Sequence, residues 1–166
     1  MAHEFDNPTL ALVRDLFIFA CFTALSFVDM KELTTDEIVE VNGEKWILSK
    51  RHKTNVPFQV KLLDIPLQII ERYKYLSEDR LVFGKINYWT MCKQLKKVMA
   101  ECGIEKQISY HCGRHTFGTL ALSKGMPIES VSRVLGHNEY SHDPTLRKDN
   151  HAEARQRPDH VRRQTE

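Results

Sequence analysis

Residues 38–62 decide the fold: Ile38-Val39-Glu40-Val41, then Asn42-Gly43, then Glu44-Lys45-Trp46-Ile47-Leu48-Ser49, and, after a basic turn, Val56-Pro57-Phe58-Gln59-Val60-Lys61-Leu62. Asn-Gly supplies positive φ at both central positions of a tight turn, so Ile38–Val41 and Lys45–Ser49 are predicted to pair as a hairpin. Val56, Phe58, Val60 and Leu62 recur with period two, which predicts a third, half-buried antiparallel strand. Working outward, the rest reads as helix. Asn7 and Pro8 form a cap and first turn ahead of Leu12, Val13, Leu16, Phe17, Phe19 and Ala20, with an end near Thr23. A short helix is expected over Phe27–Glu32. Asp64 is expected to cap a helix with Leu67, Ile70, Tyr73 and Leu76 on one stripe, and Asn87 another with Met91, Leu95, Val98 and Cys102. Arg114–Ser123 and Pro127–Leu135 complete the set. Helices, a small three-stranded antiparallel sheet and helices again make a mainly α domain and exclude a βαβ array.

At 166 residues, with 24 Lys+Arg against 22 Asp+Glu and a net charge of +2, the chain fits one globular domain. It has no apolar run long enough for a membrane span, and acids at Glu4, Asp6 and Asp15 argue against a secretory leader, so no membrane partner and a cytoplasmic location are expected. Cys21, Cys92, Cys102 and Cys112 lie 71, 10 and 10 residues apart, which fits neither a zinc framework nor a disulfide scaffold; reduced, mostly buried thiols are expected. Residues 138–166 hold 6 basic and 6 acidic residues and only five apolar ones, too few to offset the entropy of ordering. A boundary is therefore expected at His137, with a compact domain over 1–137 and a poorly packed polar tail over 138–166. There is no Gly-rich phosphate loop, nucleophile elbow or dinucleotide fingerprint.

Chemistry must then come from three polar segments. Lys50, Arg51, His52, Lys53 and Thr54 crowd the turn between the second and third strands, where cations would suit a phosphate backbone and a lysine could protonate a leaving oxygen. Tyr110-His111-Cys112-Gly113-Arg114-His115-Thr116-Phe117 is unusually polar for a helix start, and His111 and Arg114 there would converge on an anion. His111 and His115, with His137 as a third ligand, could bind a metal, but the Glu of a zinc hydrolase motif is missing. Leu135-Gly136-His137 ends the last helix. Ala121, Gly125 and Val131 also have the offsets of a helix-turn-helix, in which Glu129, Ser130, Ser132 and Arg133 would read bases. That alternative leaves Lys53, His111 and Arg114 unexplained.

Together the segments resemble the catalytic domain of the tyrosine recombinase and phage integrase family, over residues 8–137. Thr23-Ala24-Leu25-Ser26-Phe27-Val28-Asp29-Met30 is similar to its first box, Lys53-Thr54 to its hairpin lysine, His111–Phe117 to its His-x-x-Arg box, and Leu135-Gly136-His137 to its last histidine box. The resemblance implies the DNA breaking-rejoining fold and site-specific recombination or integration through a 3′-phosphotyrosyl link, with no metal or other cofactor. Arg114 would clamp the nonbridging oxygens, His111 and His137 would add hydrogen bonds and proton transfer, and Lys53 would protonate the 5′ oxygen. Double-stranded DNA is the implied partner, contacted by Arg51, Lys53 and Arg114, with sister protomers on that DNA in a longer protein. No stretch resembling the family's N-terminal core-binding domain is read ahead of the first box, so a fragment of a longer protein is expected. A noncatalytic DNA-binding module is the alternative, and a type IB topoisomerase fits less well.

Two departures stand out. Ser26 occupies the position of the family's first arginine, as in integrases of some conjugative transposons; Lys31 is a nearby cation. The nucleophilic tyrosine, expected about ten residues past His137 in a pattern resembling Thr-Thr-Gln-x-Tyr-Ala, is missing, and Tyr140 stands too close to His137 to replace it. The chain is therefore expected to be catalytically incomplete. Reading codons from the second base of Asn138, the genetic code permits Thr-Asn-Ile-Arg-Thr-Thr-Gln-His-Tyr-Ala-Lys-Ile-Thr over residues 138–150. The tail is thus suspected to be frameshifted.

Overall fold

The computed structural model describes residues 4–53, 55–74 and 80–136. Its elements are α1 (Pro8–Thr23), α2 (Phe27–Lys31), β1 (Ile38–Val41), β2 (Glu44–Lys50), β3 (Pro57–Lys61), α3 (Asp64–Tyr73), α4 (Tyr88–Glu101), α5 (Tyr110–Ser123) and α6 (Ile128–Leu135). The domain is mainly α with one three-stranded antiparallel sheet in the order β1-β2-β3. Asn42 and Gly43 take positive φ of 53° and 78°, which sets the hairpin register at Ile38 opposite Ile47. Ile47 then faces Val60, and these two with Phe58 turn one side of the sheet into the core.

α1 is the central helix. Asn7 Oδ1 accepts from the Thr9 amide at 2.9 Å, Pro8 opens the first turn, and Ala24 stops the helix in the left-handed region. It packs against α3, α4 and α5, burying Leu10, Val13, Leu16, Phe19 and Ala20. Contact on several sides explains why its apolar stripe is broad. Its one buried acid, Asp15, accepts from Tyr73 Oη at 2.8 Å, Arg72 Nη1 at 2.5 Å and Arg14 Nε at 2.8 Å, which fastens α3 to α1. α5 approaches α1 through Gly113, where a Cβ would lie 3.1 Å from Ala20 Cβ and 3.2 Å from the Phe17 carbonyl.

Several expectations need correction. Asp64 is the first residue of α3 and makes no cap bond; Leu63 holds the N-cap position. Of the expected stripe, Tyr73 is buried, Leu67 and Ile70 are half-buried, and Leu76 lies outside the described residues. α5 begins at Tyr110, four residues before the expected Arg114, because burial of Tyr110 and Gly113 holds a first turn that local composition disfavours. The thiols are not mostly buried: Cys102 is exposed at the end of α4, and Cys21, Cys92 and Cys112 are intermediate. Ala121 and Val131 join Ala24 and Leu135 in a small second core, with Gly125 at φ +83° between the helices. The helix-turn-helix spacing therefore records the packing of α6 on α5. Among the described residues no helix is long and apolar enough to cross a membrane.

Candidate functional site

The site forms where the first residues of α2, the β2–β3 turn, the start of α5 and the end of α6 meet. Ser26 caps α2, its Oγ accepting from the Asp29 amide at 3.2 Å. That arrangement gives the serine a local structural use. Asp29 faces the β2–β3 turn, where its Oδ1 accepts from the His52 amide at 2.9 Å and its Oδ2 from Arg51 Nη1 at 2.8 Å. Arg51 also donates through Nη2 to the Val134 carbonyl and lies 3.9 Å over the Phe58 ring. The turn closes as the Asn55 amide donates to the Arg51 carbonyl at 2.7 Å, with Asn55 at φ 55°.

The cations of this turn separate into two groups. The sequence places Arg51 among exposed neighbours, but the structure turns it inward and leaves it 4% exposed, while Lys50, His52 and Lys53 face solvent. The correction has a simple cause: Arg51 has a carboxylate, a carbonyl and an aromatic face to meet inside, and Lys53 at the tip has the reach to stay hydrated. Arg51 is thus a buried partner of Asp29 and not one of the exposed cations of the turn.

On α5, exposed His111 occupies the first turn and half-buried Arg114 the second. Arg114 donates through Nη1 to the Ala24 carbonyl at 3.1 Å and through Nη2 to the Leu135 carbonyl. The His111 and His115 rings meet edge to face with centroids 4.4 Å apart. Among the described residues no group of three or more His, Cys, Asp or Glu gathers as for a metal. Gly136 follows α6 at φ +68°, and a Cβ there would lie 3.1 Å from Arg51 Cγ. Both facts account for glycine in the Leu135-Gly136 step. His137, Thr54 and Tyr140 lie outside the described residues, as do the whole 138–166 tail and its suspected frame change.

Charge is balanced unevenly here. Burial raises the Asp29 carboxyl, but the His52 amide, Arg51 guanidinium and Ser26 hydroxyl outweigh it and hold it below the usual carboxylate range. Burial also lowers Arg114, and the neighbouring Arg51 charge lowers it further, to about 10, so it remains protonated at neutral pH. Tyr110, buried beside them, is pushed far above an ordinary phenol, chiefly by desolvation and also by the Asp29 carboxylate. A site with two close guanidinium groups and one carboxylate carries surplus positive charge, which suits a phosphate monoanion.

The sequence profile of the phage integrase family matches residues 2–146. The chain belongs to the phage integrase family. Over 68 residues it is 40% identical to a tyrosine recombinase of Pseudothermotoga lettingae, covering 39% of this chain and 24% of that protein. Over 105 residues it is 39% identical to the tyrosine recombinase XerD of Listeria monocytogenes, covering 60% of this chain and 34% of that one. The chain therefore spans about a quarter to a third of the length of these curated relatives. Among solved structures, the XerH site-specific recombinase bound to difH substrate, in a pre-cleavage complex, matches with a TM-score of 0.69 at 22% identity, over 93% of this chain and 47% of that one. The Tn1549 transposon integrase in complex with circular intermediate DNA matches with a TM-score of 0.65 at 12% identity, over 90% and 59%. These likenesses show that the integrase domain shares their fold.

The residues that sequence reading underrated are Asp29 and the carbonyls of Ala24, Val134 and Leu135. Asp29 lies within the first box and carries a readable signal, since an acid three residues after a serine cap fits a first helical turn. The carbonyls carry none, because every residue has one.

Proposed function

We propose that this integrase domain supplies the phosphate-binding and proton-transfer groups of a site-specific DNA recombinase acting on double-stranded DNA. The observation that carries this reading is the convergence of Arg114 with Arg51, beside exposed His111 and Lys53, in a chain of the integrase family. Arg114 clamps nonbridging phosphate oxygens, and Arg51, paired to Asp29 next to Ser26, provides the second buried cation that Ser26 does not. A tyrosine oxygen attacks phosphorus, the P–O5′ bond breaks, and Lys53 protonates the departing 5′ oxygen. His111 and His137 hydrogen-bond the phosphate and move the tyrosine proton. The resulting 3′-phosphotyrosyl bond retains the energy needed for rejoining, in company with sister protomers on the DNA.

The chain as written lacks that tyrosine and is inactive in cleavage on this reading. What supports recovery from a second frame is that the codons from Asn138 onward permit Thr-Thr-Gln-His-Tyr-Ala, with the tyrosine codon spanning Leu146 and Arg147. Sequencing the coding DNA decides this: Leu146 must be TTA or CTA, and any other leucine codon ends the proposal. With the frame restored, the protein should attach covalently to a nicked suicide duplex. Lys53→Ala or Arg114→Ala should abolish attachment while DNA binding persists; equal loss of binding and attachment would favour a simple binding module.

A further inference from the structure

The last turn of α6 is held by charge. A helix ends in carbonyls that lack intrahelical partners and carry partial negative charge. In α6 the Val134 carbonyl accepts from Arg51 and the Leu135 carbonyl from Arg114, partners 83 and 21 residues away. Two elements of the phosphate site are thus tied to the helix end that leads to His137. The arrangement is not fully satisfied: Arg51 Nε and Tyr110 Oη are buried without a hydrogen-bond partner among the described residues, a costly state for a polar atom. Burial weighs on Arg114 first, and the neighbouring Arg51 charge adds to it.

We propose that Arg51 and Arg114 form a latch on the end of α6, closed in the DNA-free chain and opened when a phosphodiester takes the N–H groups now given to the Val134 and Leu135 carbonyls. The inference rests on the phosphate-binding reading above. A phosphate oxygen offers a guanidinium full negative charge and bidentate geometry that a neutral carbonyl lacks, and it offsets the charge of both arginines. Without the latch, the eight residues of α6 keep their apolar packing: Val131 and Leu135 meet Ala24 and Ala121 with Phe117 and Leu122 alongside, and Val134 touches the main core, so the loss falls on the last turn and not on the whole helix. Arg51 also lies against Gly136, so its movement toward phosphate uncovers the residue through which the chain continues. Phosphate occupancy and the order of the last turn of α6 become coupled, each favouring the other's state.

Hydrogen exchange on the full 166-residue chain tests this, with a DNA duplex at low salt and inorganic sulfate as the bare-anion probe. Saturating duplex should speed exchange of amides in residues 131–136 about tenfold, equivalent to roughly 1.4 kcal/mol, while α1 does not loosen. Arg51→Lys keeps the charge, but one ammonium cannot span Asp29 and the Val134 carbonyl, so this variant should exchange fast without DNA and change little with it. Should that variant fail to fold, the wild-type titration alone decides. If duplex binds and residues 131–136 stay protected or gain protection, the latch is wrong and the phosphate site stands. If neither duplex nor sulfate binds at low ionic strength, the proposed function fails and the latch with it.

Discussion

Replacing Asp29 by alanine should cost about 3–5 kcal/mol, because it strands a buried guanidinium. The side chains of Arg51 and Asp29 are 5% and 6% exposed and meet at 2.8 Å. Arg51 cannot turn to water without breaking its bond to the Val134 carbonyl and its stacking on Phe58. Arg114, a neighbouring cation, worsens the loss. For a domain of this size the cost corresponds to a fall of roughly 10–20 °C in midpoint. Urea and thermal unfolding read it directly. The double variant Asp29→Ala with Arg51→Met removes both charges and should recover most of the loss, since an apolar pair of similar volume replaces a buried ion pair at little cost. The pair also has a pH signature. Asp29 is held below its ordinary 3.8 in the folded chain, so its contribution is fully present above that value and fades as pH falls through the lower folded one. Asp29→Asn should lack that acid-side component. A loss below about 1 kcal/mol for Asp29→Ala, the range of an exposed pair, would refute the buried-pair account.

Three further outcomes are expected. Gly113→Ala forces a methyl to within 3.1 Å of Ala20 Cβ and 3.2 Å of a carbonyl, and should destabilise the α1–α5 contact by about 1–3 kcal/mol in a denaturant titration. Tyr73→Phe removes the 2.8 Å hydrogen bond to Asp15 but leaves Arg72 and Arg14 on that carboxylate, so the loss by the same titration should stay near 1 kcal/mol. A frame-restored protein should form its covalent DNA adduct in EDTA, because Arg, His and Lys supply the charge; strict dependence on a divalent ion would count against the assigned chemistry.

Where local chemistry decides structure, the sequence alone was enough. Asn42-Gly43 can close only a tight hairpin, alternation from Phe58 to Leu62 chooses one face, and the Asn7 and Asn87 side chains each accept a first-turn amide, at 2.9 and 2.7 Å. Membership of the integrase family was legible for the same reason, since the strings that resemble its boxes are each short and have their own spacing. Burial of Arg51 was not legible. Its partners Asp29 and Val134 stand 22 and 83 residues away, and nothing in a run of five polar residues distinguishes the arginine that turns inward from the lysine that stays out. The start of α5 at Tyr110 was likewise settled by packing against α1, where Gly113 admits a close approach that helix propensity cannot register. Sequence fixes what neighbours along the chain can satisfy between themselves; only the assembled tertiary structure assigns a buried charge and a helix end the partners that neither has nearby.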